Sequence, residues 1–145
     1  TAGIGVVTLD ARIIVIGGKN NKGTALSTTE VLDTVTGNWT TLASMPTARA
    51  FPVVILINNL VWTFGGEEEN SSGSSKAIET YNIEKNEWTI VPAEMLKCPG
   101  EKIKAVAVNH KVYFVGYSHD VAYTLNMFVF DVNKQTWAST YGPIK

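Results

Sequence analysis

The chain has 145 residues, 45% of them apolar, with 12 basic and 13 acidic side chains and a formal net charge of −1. A balance so near zero gives no electrostatic basis for gripping nucleic acid or an anionic membrane surface, and no apolar run approaches the ~20 residues of a membrane span. The single cysteine, Cys98, excludes an internal disulfide and points to a reducing, cytoplasmic setting.

Read in chain order, the elements are all strands. The apolar run Gly3 to Thr8 predicts a first strand, Asp10-Ala11 a tight turn, and Ile13 to Ile16 a second strand that runs into Gly17-Gly18. A polar loop, Lys19 to Thr28, leads to a third strand (Thr29 to Leu32) and a fourth (Trp39 to Leu42). The same series then returns: Val53 to Ile57, the turn Asn58-Asn59, Leu60 to Phe64 with Gly65-Gly66, a loop from Glu67 to Lys76, Ala77 to Tyr81, and Trp88 to Val91. A third round follows with Lys104 to Val108, Asn109-His110, Lys111 to Val115 with Gly116, a loop from Tyr117 to Thr124, Met127 to Phe130, and Thr136 to Ser139. First strands this apolar are expected to be covered on both faces. No window shows the i, i+3, i+4, i+7 spacing of an amphipathic helix.

Internal repetition is the strongest signal. Trp39, Trp88 and Trp137 are spaced by 49 residues and again by 49, and seven positions before each stands a large apolar residue (Leu32, Tyr81, Phe130) followed by Asp33, Asn82 or Asp131. Asp and Asn at such a place start turns by bonding to the backbone just ahead. Each period is therefore a four-stranded antiparallel meander. Short strands repeating every 40 to 50 residues mark a β-propeller, in which each meander is one blade. The tryptophans are expected to wedge between adjacent sheets, each contributing ~3 to 5 kcal/mol against alanine if fully buried.

The double glycine after a strand, the apolar residue followed by Asp or Asn, and the Trp seven positions on resemble the Kelch repeat. "MPTARAFPVVILINNLVWTFGG", Met45 to Gly66, is especially similar, with its Arg sixteen positions before the first glycine. The resemblance implies three Kelch-type blades, at 1–46, 47–97 and 98–145, in an incomplete, half propeller. Closed propellers use roughly four to eight blades. The missing blades are expected from the rest of a longer chain, of which this is a piece cut at a blade boundary, or from a second copy that closes a six-bladed ring; an open stack is the third arrangement.

Function is expected in the loops, since the fold does not fix it. The loops after the second strands should cluster at one end, making Lys19, Lys22, Glu67, Glu68, Asn70, Tyr117 and His119 candidates for binding a protein or peptide. In Kelch domains of the substrate-adaptor type, arginines at this end bind acidic peptides, so Arg49 is a candidate for a bidentate contact, with bracing of a neighbouring loop as the other reading. Gly17, Gly18, Trp39, Gly65, Gly66, Trp88, Gly116 and Trp137 are read as structural. Glu79, Glu84 and Glu87 read as exposed strand or turn residues. Neither His110 nor His119 joins a metal-ligand pattern, and no cofactor is expected. The leading function is a protein-interaction module of the kind that selects substrates in BTB-Kelch ubiquitin-ligase adaptors. An actin-binding Kelch protein and a carbohydrate-active propeller enzyme are the alternatives.

Overall fold

The computed structural model describes residues 1–69, 74–96, 103–118 and 124–141, without the side chains of 117, 118, 124, 125 and 139–141. Twelve strands and no helix make up the described residues. They are β1 (Gly5–Leu9), β2 (Arg12–Ile16), β3 (Thr29–Asp33), β4 (Trp39–Thr41), β5 (Val53–Ile57), β6 (Leu60–Phe64), β7 (Ile78–Asn82), β8 (Glu87–Ile90), β9 (Lys104–Val108), β10 (Lys111–Ser118), β11 (Thr124–Asp131) and β12 (Thr136–Tyr141). They form three four-stranded antiparallel sheets in sequential order, β1 to β4, β5 to β8 and β9 to β12. Two compact units contain them, Thr1–Met95 with the first two sheets and Leu96–Lys145 with the third. No helix among the described residues is long and apolar enough to cross a membrane.

The turns have the chemistry that their residues predict. Asn58 and Asn59 both adopt positive φ, 51° and 61°, as a two-residue hairpin with the right twist requires, and Asp10 and Asn109 do the same at the matching turns. Between third and fourth strands, Asp33 Oδ1 accepts from the Val35 and Thr36 amides at 2.8 and 3.1 Å. Asn82 Oδ1 accepts from Glu84 and Lys85, both at 3.1 Å, and Asp131 Oδ1 from Asn133 and Lys134 at 3.0 and 3.1 Å. The carboxyls of Asp33 and Asp131 are held below their ordinary pKa, first by the amides of Thr36 and Lys134 respectively.

Alternation along the strands builds the core of the first unit. Ile14 and Ile16 on one side, and Val61 and Tyr81 on the other, meet in one buried cluster completed by Met45, with Val7, Leu9, Val54 and Trp88 packed around it. Each such side chain fully withdrawn from water contributes about 1.5 to 3 kcal/mol. Trp88 packs tilted against Tyr81, ring centroids 5.1 Å apart, and donates its indole N–H to the Ala43 carbonyl at 2.8 Å, so the second sheet grips the exit of the first. Asn86 Oδ1 accepts from the Ala43 amide at 2.8 Å.

Two expectations are corrected. Trp39 is 57% exposed, whereas the indole at the matching place in the second sheet lies on Ala43. Trp88 is half-buried, and Trp137 is half-buried against Phe114 and Phe130 of its own sheet at 5.3 and 5.1 Å, so neither reaches full burial. Likewise β1 and β9 are not covered on both faces, Val6 being 47%, Val106 60% and Val108 53% exposed. A strand can read as uniformly apolar and still keep part of one face in water.

Unequal burial of equal residue types gives an unequal mutational cost. Trp88→Ala is expected to lower unfolding stability by about 2 to 3 kcal/mol in a urea titration of dilute protein, and Trp39→Ala by less than about 0.5 kcal/mol; equal losses would contradict the assignment. A depressed folded-state pKa adds stability above the unfolded value of the carboxyl and loses it as pH falls through the folded one. Stability is therefore expected to decline on acidification through and below the ordinary carboxylate range. The double variant Asp33→Asn/Asp131→Asn, which keeps the acceptor that Asn82 already supplies, should show a shallower decline in pH-resolved melts.

Candidate functional site

The two glycine pairs set the local geometry of the loop end. A Cβ on Gly17 would press on the Arg49 carbonyl and one on Gly66 on the Ala50 carbonyl, so only glycine lets the segment before β5 lie this close to the ends of β2 and β6. Gly18 donates to the Arg49 carbonyl at 2.9 Å, and Arg49 in turn donates its amide to Leu26 at 3.0 Å. Directly after each glycine pair, Lys19 bridges between Ala2 and Ala25, and Glu67 between Ala50 and Ser74. The two stand at the same place in successive repeats.

That equivalence puts the side chains of Lys19 and Glu67 side by side. Lys19 Nζ lies 2.6 Å from Glu67 Oε2, with both side chains partly exposed, a pairing worth about 0.2 to 1 kcal/mol at such a surface. The same ammonium sits 5.4 Å above the ring of Phe51. Phe51 is 53% exposed and holds φ at +52°, a conformation that for a bulky residue costs on the order of 1 to 3 kcal/mol. Its amide is committed to the Gly3 carbonyl at 2.6 Å, which fixes the ring over the seam between the first and second sheets. Glu68 accepts from the Ser75 hydroxyl and is thereby folded back onto its own loop. Lys22 is exposed at the tip of its loop, where its amide caps Asn20 Oδ1 at 2.9 Å.

Arg49 lies beneath this surface and is not on it. The expectation of an arginine presented to a ligand gives way to the bracing reading: the residue is 0% exposed and every guanidinium nitrogen is engaged inside the chain. Nη1 donates to the carbonyls of Gly65 and Ala77 at 2.8 and 3.0 Å. Nη2 meets Glu79 Oε2 at 2.5 Å, Thr63 Oγ1 at 2.8 Å and the Met45 sulfur at 3.2 Å, and Nε reaches the Thr47 carbonyl at 3.3 Å. Glu79, read from the sequence as exposed, is 1% exposed and completes the network by accepting from Thr47 Oγ1 at 2.7 Å. Burial pushes the Arg49 pKa down, and the Glu79 charge beside it pushes back.

One signal could have revealed Glu79. It is the cross-strand partner of Thr63, the one pair between β6 and β7 that is polar on both strands, in the one repeat that keeps the Arg. In the first repeat the matching pair is Val15 and Glu30, and Thr1 stands where Arg49 would be. Asn70 and His119 lie outside the described residues, and of Tyr117 only the backbone is described, paired with Leu125 in the third sheet. Of the residues expected to bind, the structure thus brings together Lys19 and Glu67 and adds Phe51, which carried no sequence signal beyond preceding Pro52. Gly116 pairs with Asn126 inside the third sheet. Among the described residues no group of three or more His, Cys, Asp or Glu could hold a metal ion.

A buried ion pair is costly to break from one side, because the remaining charge keeps no partner. Glu79→Ala is expected to cost about 3 to 5 kcal/mol by urea unfolding, and Arg49→Met a comparable amount. The double variant Arg49→Met/Glu79→Leu should lose less than either single change, a non-additivity that a double-mutant cycle reads directly.

Comparison with known proteins agrees with this architecture. The family model described as the KLHDC2/KLHL20/DRC7 Kelch-repeats domain matches residues 2–142. Beta-scruin of Limulus polyphemus is 31% identical over 117 residues, covering 77% of this chain and 13% of its own length. Kelch-like protein 7 of Rattus norvegicus is 28% identical over 122 residues, 84% of this chain and 20% of its own. The F-box/kelch-repeat protein At2g29600 of Arabidopsis thaliana is 27% identical over 128 residues, 85% of this chain and 30% of its own. These relatives are thus several times longer than the stretch they share with the chain. A solved structure titled "Structure of YjhT" superposes with a TM-score of 0.76 at 17% identity over 99% of this chain and 52% of that one, a likeness of fold. Three four-stranded meanders in a 49-residue rhythm, together with a family match running almost end to end, make the chain a member of the KLHDC2/KLHL20/DRC7 Kelch-repeats domain family.

Proposed function

We infer that this Kelch domain is a protein-interaction module that receives a polypeptide at the loop end of its first two sheets, and that its role is to select substrates for a BTB-Kelch-like ubiquitin-ligase adaptor. The observation that carries the reading is Phe51. An aromatic ring held half in water in a left-handed backbone conformation, where glycine would relax the chain, is a cost to folding. Strain of this kind persists where it serves recognition. Around the ring, Lys19 and Glu67 offer donors and acceptors on partly exposed side chains, the combination of aromatic anchor and polar surround found at interaction hot spots. Kelch-like and F-box/kelch-repeat proteins among the relatives support the adaptor role.

Substitution at Phe51 separates recognition from folding. Phe51→Gly removes the ring and relieves the backbone, so stability is expected to stay within about 1 kcal/mol of the wild type while partner affinity falls at least about tenfold. The measurement is affinity capture followed by titration of the captured protein against wild type, Phe51→Gly and Lys19→Glu. Unchanged affinity for both variants would remove this surface from the reading. Partner ubiquitylation that depends on the full-length protein in cells tests the adaptor role, and cosedimentation with actin filaments tests the cytoskeletal alternative.

A further inference from the structure

Phe51 fills a column of the repeat that calls for a left-handed backbone. Ala2 and Ala50 bridge to Lys19 and Glu67 at matching places, so Gly3 is the counterpart of Phe51, and its φ is +66° against +52°. The first repeat uses the residue that adopts this conformation freely; the second places an aromatic ring there. Gly3 also makes room for that ring, since a Cβ on it would come within 2.9 Å of Phe51.

The ring already meets a cation. Lys19 Nζ stands 5.4 Å from its centroid and 2.6 Å from Glu67 Oε2, so an aromatic face and a carboxylate converge on one positive charge. That is receptor chemistry for an ammonium or a guanidinium. The chain's own lysine holds the place loosely. The Lys19 side chain is 33% exposed and that of Glu67 46%, and at such exposure both the ion pair and the cation–π contact are weak. Lys19 can turn into water on its flexible stem without stranding a buried charge. An acidic ligand fits this place less well, because a carboxylate brought to Lys19 would face Glu67 at like charge, and Arg49 below is already engaged by Glu79.

We propose that the polypeptide received at this end presents an arginine, whose guanidinium displaces Lys19, lies on the Phe51 ring and forks onto the Glu67 carboxylate. The inference rests on the interaction reading above and names the chemistry of its ligand. Arginine is preferred to lysine because its planar, weakly hydrated head stacks on a ring and pairs bidentately with a carboxylate, whereas a second ammonium gains nothing over the one tethered in place. Lys19 is then a competitor within the chain. Removing its charge strengthens the binding of an arginine, and would weaken the binding of an acidic ligand.

Fluorine NMR of the full-length protein with para-fluorophenylalanine at position 51 reads the site directly, titrated with the capped tripeptide Gly-Arg-Gly and its lysine, alanine and glutamate counterparts. The arginine peptide is expected to shift the position-51 resonance to saturation, with the lysine peptide at least about threefold weaker and the other two leaving the resonance in place. Lys19→Met should tighten the arginine peptide by about three- to tenfold, and Glu67→Gln should weaken it by a similar factor. A saturating glutamate peptide, a lysine peptide as tight as the arginine one, weakening by Lys19→Met, indifference to Glu67→Gln, or no response to any peptide each overturns the proposal. The interaction reading itself is decided separately, by the titration of captured protein against Phe51→Gly: a loss of affinity there alongside any of these outcomes keeps the surface and rejects the arginine.

Discussion

A four-stranded meander has two apolar faces and no interior of its own, so its stability depends on what lies against it. Between the first and second sheets that demand is met by Ile14, Ile16, Val61 and Tyr81 sharing one buried cluster. The geometry of this contact sets the rest: glycines at 17 and 66 let the connector approach, the connector carries Arg49 into the seam, and the seam fixes where Lys19, Phe51 and Glu67 emerge. Elsewhere the same residue types are open to water, as Trp39 and Val106 are.

Arg49 shows how one residue type changes meaning with depth. At a surface, a guanidinium is a ligand for carboxylates. Here the carboxylate is the chain's own Glu79, and Gly65, Ala77 and Thr63 take the remaining donors. The result is a polar lock inside an apolar junction, tying the connector to β6 and β7 at once. Such a lock contributes less to net stability than its contacts suggest, because desolvating two charges offsets most of their attraction. Its effect is positional: it holds the segment from Met45 to Ala50 in a single path, and Phe51 follows directly from that path. Recognition at the surface and the ion pair below it are then two ends of one rigid connector.

The sheets were readable because the signals for them are local. Alternation, Asn and Asp at turns, and a 49-residue rhythm act within a few residues or repeat identically, and strand boundaries moved by no more than a few positions. The site was less readable because its chemistry crosses sheets. Glu79 looks exposed when only its own strand is considered, and becomes internal because Arg49, thirty residues earlier, descends onto it. Phe51 has nothing in its local sequence to mark a strained, exposed ring; the mark is its φ of +52°, in the connector that the glycines at 17 and 66 let approach. Trp39 and Trp88 are indistinguishable in sequence context. They differ in burial, Trp39 being 57% exposed and Trp88 half-buried against Tyr81 and Ala43, and no property of the repeat itself encodes that.

Columns that the repeats hold constant and columns they vary therefore do different work. Gly17 and Gly65 keep one freedom, and Trp39 and Trp88 one size, because every repeat builds the same meander. The varying columns give each junction its own character. Position 37, 86 or 135 is Gly, Asn or Gln at a shared positive φ, and only the asparagine clamps Ala43. Lys19 and Glu67 carry opposite charges at matching places, and for that reason they attract across the seam where identical residues would repel. A repeat protein with identical repeats would have interchangeable junctions and no preferred order of sheets; divergence at these few positions lets one sheet recognise its proper neighbour.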